Sequence, residues 1–162
     1  MTIHHLDSKL MSFYIDIQNE LPTLPFSEEQ LTRWATSALE TQVNHAELTI
    51  RFITSDEMTQ LNHQYRHKNK PTNVLSFPSE LPHDIMSQLE MPYLGDIIIC
   101  PEVLANESQE QQKDLEFHWA HIVIHGVFHL LGYDHIEDGD AEVMQGLEIK
   151  ILQKLNYPNP YE

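Results

Sequence analysis

The segment HIVIHGVFHLLGYDH, residues 121 to 135, constrains this chain more than any other. Leu115, Trp119, Ile122, Val123 and Val127 recur at helical spacing, which predicts a long helix from about 107 to 131 with one apolar packing surface. Gly132 follows where the chain must leave that helix through a left-handed turn. His125 and His129 then share one helix face, a turn apart, and both imidazoles can reach a single ion. A chain turning back at Gly132 can bring His135 to the same place. Three neutral imidazoles suit zinc and leave a fourth position for water or substrate, which is the division between a catalytic site and a closed structural one. A structural zinc stays open as an alternative, with Asp134 as fourth ligand; the same carboxylate can instead orient an imidazole.

His121 lies one turn before His125, and His118 about one turn earlier. Taking His121 as the third ligand would leave His135 unused, so both are assigned to packing or to the surroundings of the ligands. The HxxxHxxGxxH spacing also matches the zinc signature of metzincin proteases, in which a glutamate follows the first histidine. Gly126 holds that position here and cannot act as a general base, which disfavours proteolysis.

The rest of the chain supplies a sheet. Residues 11 to 19, 46 to 54, 73 to 78 and 93 to 100 have strand patterning; in the second, Leu48, Ile50 and Phe52 alternate with Thr49, Arg51 and Ile53. Pro78 makes the third strand short or peripheral. Ser27 with Gln30, and Thr54 with Glu57, mark the starts of two helices, the first continuing to about residue 44. Residues 79 to 92 read as a loop, and a last helix runs from about 140 to 155. These elements predict an α+β fold of three-layer α/β type: one mixed sheet of about four strands with helices around it, in a single domain spanning 1–162. At 162 residues the chain is long enough to bury a real core.

Charge narrows the partners. Twenty-five acidic against nine basic residues give a formal charge of −16, so the average surface repels polyanions and nonspecific coating of duplex DNA is disfavoured. Yet Arg66, Lys68 and Lys70 place three of the nine positive charges within five positions. Alone, such a run reads as a solvated turn; beside a metal site it suits phosphate, with Arg66 as a two-pronged donor and the lysines as less directional charges. Asn73 and Ser76 can hydrogen-bond a substrate or serve local structure, Asp96 can orient the site, and Phe77 and Tyr133 can stack on bases or fill the core. Cys100 is the single cysteine and cannot form an internal bridge, which fits a reducing compartment. The N-terminus does not resemble a secretory leader, and no apolar run reaches the roughly 20 residues of a membrane span, so no membrane partner is expected.

Three segments together, YRHKNKPTNVLSFP at 65 to 78, YLGDIIIC at 93 to 100 and HIVIHGVFHLLGYDHIEDGDAEVMQGLE at 121 to 148, resemble the bacterial rRNA maturation factor family of small metal-dependent endoribonucleases. The resemblance implies a cytoplasmic enzyme binding one Zn2+ ion per chain at His125, His129 and His135. It implies action on single-stranded RNA, namely precursor 16S rRNA at its 3′ end, with a further role in quality control on ribosomal particles. Arg66 matches the family's functionally important arginine. RHKNK departs from the commoner RGKxK form at His67, which therefore inherits no role. The competing class is a zinc-stabilised RNA-binding or ribosome-assembly module without cleavage, which explains the basic turn equally well and needs no general base. Glu142 and Glu148 read as surface or structural residues of the last helix.

Overall fold

The chain alternates strands and helices in a computed structural model that describes residues 2–7, 11–133 and 138–162. Strands β1 (Thr2–Asp7), β2 (Ser12–Asn19), β3 (His45–Phe52), β4 (Val74–Pro78) and β5 (Tyr93–Ile99) form one sheet in the order β1-β2-β3-β5-β4. The β2–β3 and β3–β5 pairs are parallel, whereas β1 and β4 pair antiparallel at the two edges. The expected mixed sheet and α+β class are present, and all four expected strands are in it. The sheet gains β1, a segment to which the sequence patterning assigns no element.

Helices α1 (Glu28–Leu39), α5 (Leu115–Leu130) and α6 (Asp138–Lys154) share one core with Phe13, Ile15 and Ile17 of β2, Leu48, Ile50 and Phe52 of β3, and Ile97 and Ile99 of β5. The alternate residues of the strands face the other way. There Leu75 and Ile98 meet Met58 and Leu61 of α2 (Ser55–Arg66), with Cys100 and with Val103 of α4 (Pro101–Glu110). A period of two along each strand thus produces two apolar faces and three layers. Trp119 of α5 fixes the larger core, stacking on Phe52 at 5.6 Å between ring centroids and meeting Phe26 edge-on at 5.4 Å.

Both expected N-caps form, with Ser27 accepting from the Gln30 N–H and Thr54 from the Glu57 N–H. The first helix ends at Leu39, five residues short of the sequence expectation. The predicted 107–131 helix is two helices. Gln112 takes a positive φ of 55°, ending the α4 turn, and Asp114 starts α5 by capping the Phe117 N–H. The 79–92 connection carries one short helical turn, α3 (His83–Met86). Gly132 closes α5 as expected: at φ 101° its N–H reaches the His129 carbonyl at 3.0 Å while the Tyr133 N–H reaches Phe128 at 3.0 Å. This pair of bonds satisfies carbonyls that the helix end would leave open. Among the described residues, no helix is long and apolar enough to cross a membrane.

Gly126 explains how α5 lies so close to the sheet. A Cβ built there would stand 2.9 Å from Cγ2 of Ile97, a fully buried, β-branched residue of β5. Ile97 has few rotamers to retreat into. Gly126→Ala is therefore expected to destabilise the protein by about 1–3 kcal/mol, the usual cost of overpacking a core. Urea unfolding should show the loss as a lower midpoint; an unchanged midpoint would mean that α5 and β5 do not meet so closely. A glutamate at this position has no room, so the missing protease base reflects how this helix packs.

Candidate metal centre

The site is built where α5 passes the edge strand β4. Along α5 from Phe117 to Leu130, only His121, His125 and His129 escape full burial, and they recur every fourth residue. This strip is the one side of the helix that the core does not cover. Ser76 of β4 reaches across to the Gly126 carbonyl at 3.3 Å, holding the edge strand beside the strip. Arg66, the last residue of α2, lines a cavity of about 350 Å3 together with Thr72, Asn73, Ser76, His125 and His129. The basic residue and two of the three expected ligands thus border one cavity. His135 and Asp134 lie outside the described residues.

Nε2 of His125 and Nε2 of His129 stand 3.0 Å apart. Two imidazole nitrogens bound to one tetrahedral zinc at about 2.05 Å each are separated by about 3.3 Å, so the pair is spaced to share a cation. Behind it, Nδ1 of His125 lies 2.6 Å from Oε2 of Glu148, a fully buried carboxylate on α6. His121 Nε2 lies 3.5 Å from the other carboxylate oxygen and 3.2 Å from the hydroxyl of Tyr161, which itself donates to that oxygen. Burial alone would raise the Glu148 carboxyl. Hydrogen bonds from His121 and His125, the nearby charge of His125 and the Tyr161 hydroxyl outweigh it and bring the value down to about 2.

Nitrogen and oxygen atoms of His121, His125 and Glu148 lie within 4.8 Å of one another, a set that can coordinate a metal ion. The hydrogen bonds divide this set. Glu148 spends its oxygens on His125, His121 and Tyr161, while the opposite nitrogen of His125 faces His129 at the cavity. The Nε2 pair is the better cation position, because it keeps a buried, hydrogen-bonded carboxylate behind the imidazole where it fixes the ring's tautomer.

Several residues with two readings in the sequence make contacts within the scaffold. Asn73 donates to Glu107 at 3.1 Å, and Glu107 also pairs with the buried His118 at 2.9 Å, tying the start of β4 to α4 and α5. Burial raises the Glu107 carboxyl, but the bonds from His118 and Asn73 hold it below its usual range. Tyr133 donates to Gln42 at 2.7 Å and rests edge-on against Phe128, Phe77 meets Tyr65 edge-on, and Asp96 accepts from Tyr93. Glu142 is exposed.

The sequence reading missed Asn62. Its fully enclosed side chain donates to the Lys70 carbonyl at 2.8 Å and so shapes the 66–70 turn, which begins with His67 at a positive φ of 58°. Arg66, Lys68 and Lys70 line a second cavity of about 290 Å3, which shares Arg66, Thr72 and Asn73 with the first. On a chain of charge −16 this gathers three of the nine basic residues beside the cavity that the imidazole pair lines.

Fold and site together define an α+β protein with a histidine and carboxylate cluster on α5 and α6 that could coordinate a metal ion, open to a basic turn. Comparison with known proteins gives the family. The description Endoribonuclease YbeY matches residues 16–156. Proteins named Endoribonuclease YbeY from Legionella pneumophila strains Corby and Lens are each 56% identical over 153 residues, covering 94% of this chain and 96% of theirs. The solution structure of TM1509 from Thermotoga maritima, at 23% identity, aligns with a TM-score of 0.56 over 88% of this chain and 91% of that one, and so shares the fold. The chain belongs to the YbeY endoribonuclease family.

Proposed function

We propose that this chain, as one domain spanning 1–162, is a zinc-dependent endoribonuclease of the cytoplasm that cuts single-stranded RNA, with precursor 16S rRNA near its 3′ end as substrate and ribosomal particles as the setting for quality control. One ion per chain is held by His125, His129 and His135. The observation that carries the reading is the 3.0 Å Nε2 pair opening onto a cavity that Arg66 also lines. A bound zinc supplies Lewis acidity, making water a better nucleophile at neutral pH and offsetting charge that develops on phosphate. Arg66 directs its guanidinium to a nonbridging phosphate oxygen, where a planar, permanently charged donor is worth most as negative charge builds up. Lys68 and Lys70 draw the RNA backbone towards the turn. Glu148 accepts from Nδ1 of His125 and keeps Nε2 turned to the cavity.

The test is cleavage with mapped ends. Purified protein incubated with a precursor 16S transcript is expected to cut it near the 3′ end, to stop after chelation, and to recover when one equivalent of zinc is restored. Zinc-loaded protein that binds the transcript and leaves it whole would overturn the enzymatic reading in favour of an assembly module.

A further inference from the structure

The segment after α6 packs back onto α5. The family match stops at residue 156, and the six residues after it run along α5 towards the histidine strip. Asn156 takes a positive φ of 71° and turns the chain off α6; the Tyr157 N–H then returns to the Leu152 carbonyl at 2.8 Å. Tyr157 stacks on Phe117 and donates to Glu116 at 2.7 Å, fastening the tail to the first turn of α5. Two residues on, Asn159 accepts the Tyr161 N–H at 2.8 Å, and the Tyr161 ring stands edge-on to His121 with centroids 5.4 Å apart. Its hydroxyl donates to Oε1 of Glu148.

That hydroxyl has a consequence for His125. Glu148 is fully enclosed, so each oxygen must be satisfied by a protein donor. Oε2 serves Nδ1 of His125 at 2.6 Å; Oε1 serves Tyr161, with His121 Nε2 farther away at 3.5 Å. Removing the Tyr161 hydroxyl leaves Oε1 with His121 alone. The carboxylate then gains by rotating towards His121, at the expense of its bond to His125.

We infer that Tyr161 is a positioning residue of the metal centre: by engaging Oε1 of Glu148 it holds Oε2 on Nδ1 of His125 and keeps the Nε2 atom of that imidazole presented to the ion. The inference rests on the reading of His125 and His129 as ligands. It assigns the tail beyond residue 156 a part in metal affinity. Outer partners of ligating histidines commonly contribute 10–100-fold to affinity, and an effect passed on through Glu148 belongs at the lower end.

The full chain carrying Tyr161→Phe is compared with wild type and with Tyr157→Phe, which deletes the other tail hydroxyl and keeps its ring on Phe117. Zinc affinity is read by competition with a chromogenic chelator, and the His125 tautomer of the zinc-free protein by long-range 1H–15N correlation of its ring. Tyr161→Phe is expected to bind zinc about 10-fold more weakly and to shift His125 away from the Nδ1–H tautomer, with circular dichroism and Tyr157→Phe affinity unchanged. Wild-type affinity with an unaltered His125 ring in Tyr161→Phe overturns the role of Tyr161. Equal weakening in both variants with the His125 ring unaltered also overturns it, since tail docking in general would then set the affinity without acting through Glu148. Full zinc binding by His125→Ala would instead remove the ligand reading underneath, a separate outcome.

Discussion

Replacing His125 or His129 with alanine is expected to remove zinc and RNA cleavage together. Closed structural zinc sites with four protein ligands are worth about 10–16 kcal/mol, about 3 kcal/mol per ligand, so losing one of the three imidazoles proposed here is expected to weaken binding by about 100-fold or more. The two imidazoles are not spare parts of a packed helix: they lie in the one strip of α5 that the core leaves open, with their Nε2 atoms 3.0 Å apart. Truncating either one removes few core contacts, so the variants should fold. His135→Ala should behave alike if the chain past Gly132 closes on the same ion. Elemental analysis after exhaustive buffer exchange, beside end-mapped cleavage, decides the matter. Near-stoichiometric zinc in all three variants would defeat the ligand set; zinc loss with undiminished cleavage would defeat its catalytic part.

Local chemistry made much of this architecture readable. Ser27, Thr54 and Gly132 mark helix ends because each satisfies backbone groups within a few residues, and such signals need no knowledge of the fold. The strip of His121, His125 and His129 was equally legible, since helical spacing alone places it. The start of α5 was not legible in this way: Asp114 caps the Phe117 N–H, but the apolar run reads as one long helix, and the break depends on Gln112 entering the left-handed region. Strand β1 escaped notice because a short segment with adjacent histidines becomes a strand through its antiparallel pairing with β2.

Glu148 shows the harder limit. It falls on the buried row of α6 with Met144, Ile151 and Leu152, where a carboxylate is costly unless paired, so its position carried a signal of function. Its partners are 23 and 27 residues back on α5 and 13 ahead in the tail. Only tertiary packing brings these together. The same holds for Asn62, whose bond to the Lys70 carbonyl shapes a turn that sequence alone shows merely as a run of charge.

Arg66→Ala is expected to leave folding and zinc binding intact while single-turnover cleavage falls by about 100- to 1,000-fold, the usual cost of deleting one preorganised donor from a charge-developing site. Arg66 ends α2 and is exposed, so its side chain holds no part of either core. It shares the lining of the cavity with His125 and His129 without belonging to their helix. On a chain of net charge −16, few other cations are available to take its place: Lys68 and Lys70 flank the turn, but an ammonium offers neither a planar fork nor two parallel donors. Arg66→Lys should therefore recover RNA binding more than cleavage, giving an intermediate variant whose deficit lies in the chemical step. Zinc content, circular dichroism and cleavage at saturating protein separate the possibilities for wild type and both variants. Full cleavage by folded, zinc-loaded Arg66→Ala would sink the phosphate role, and loss of zinc from it would move Arg66 into the support of the metal.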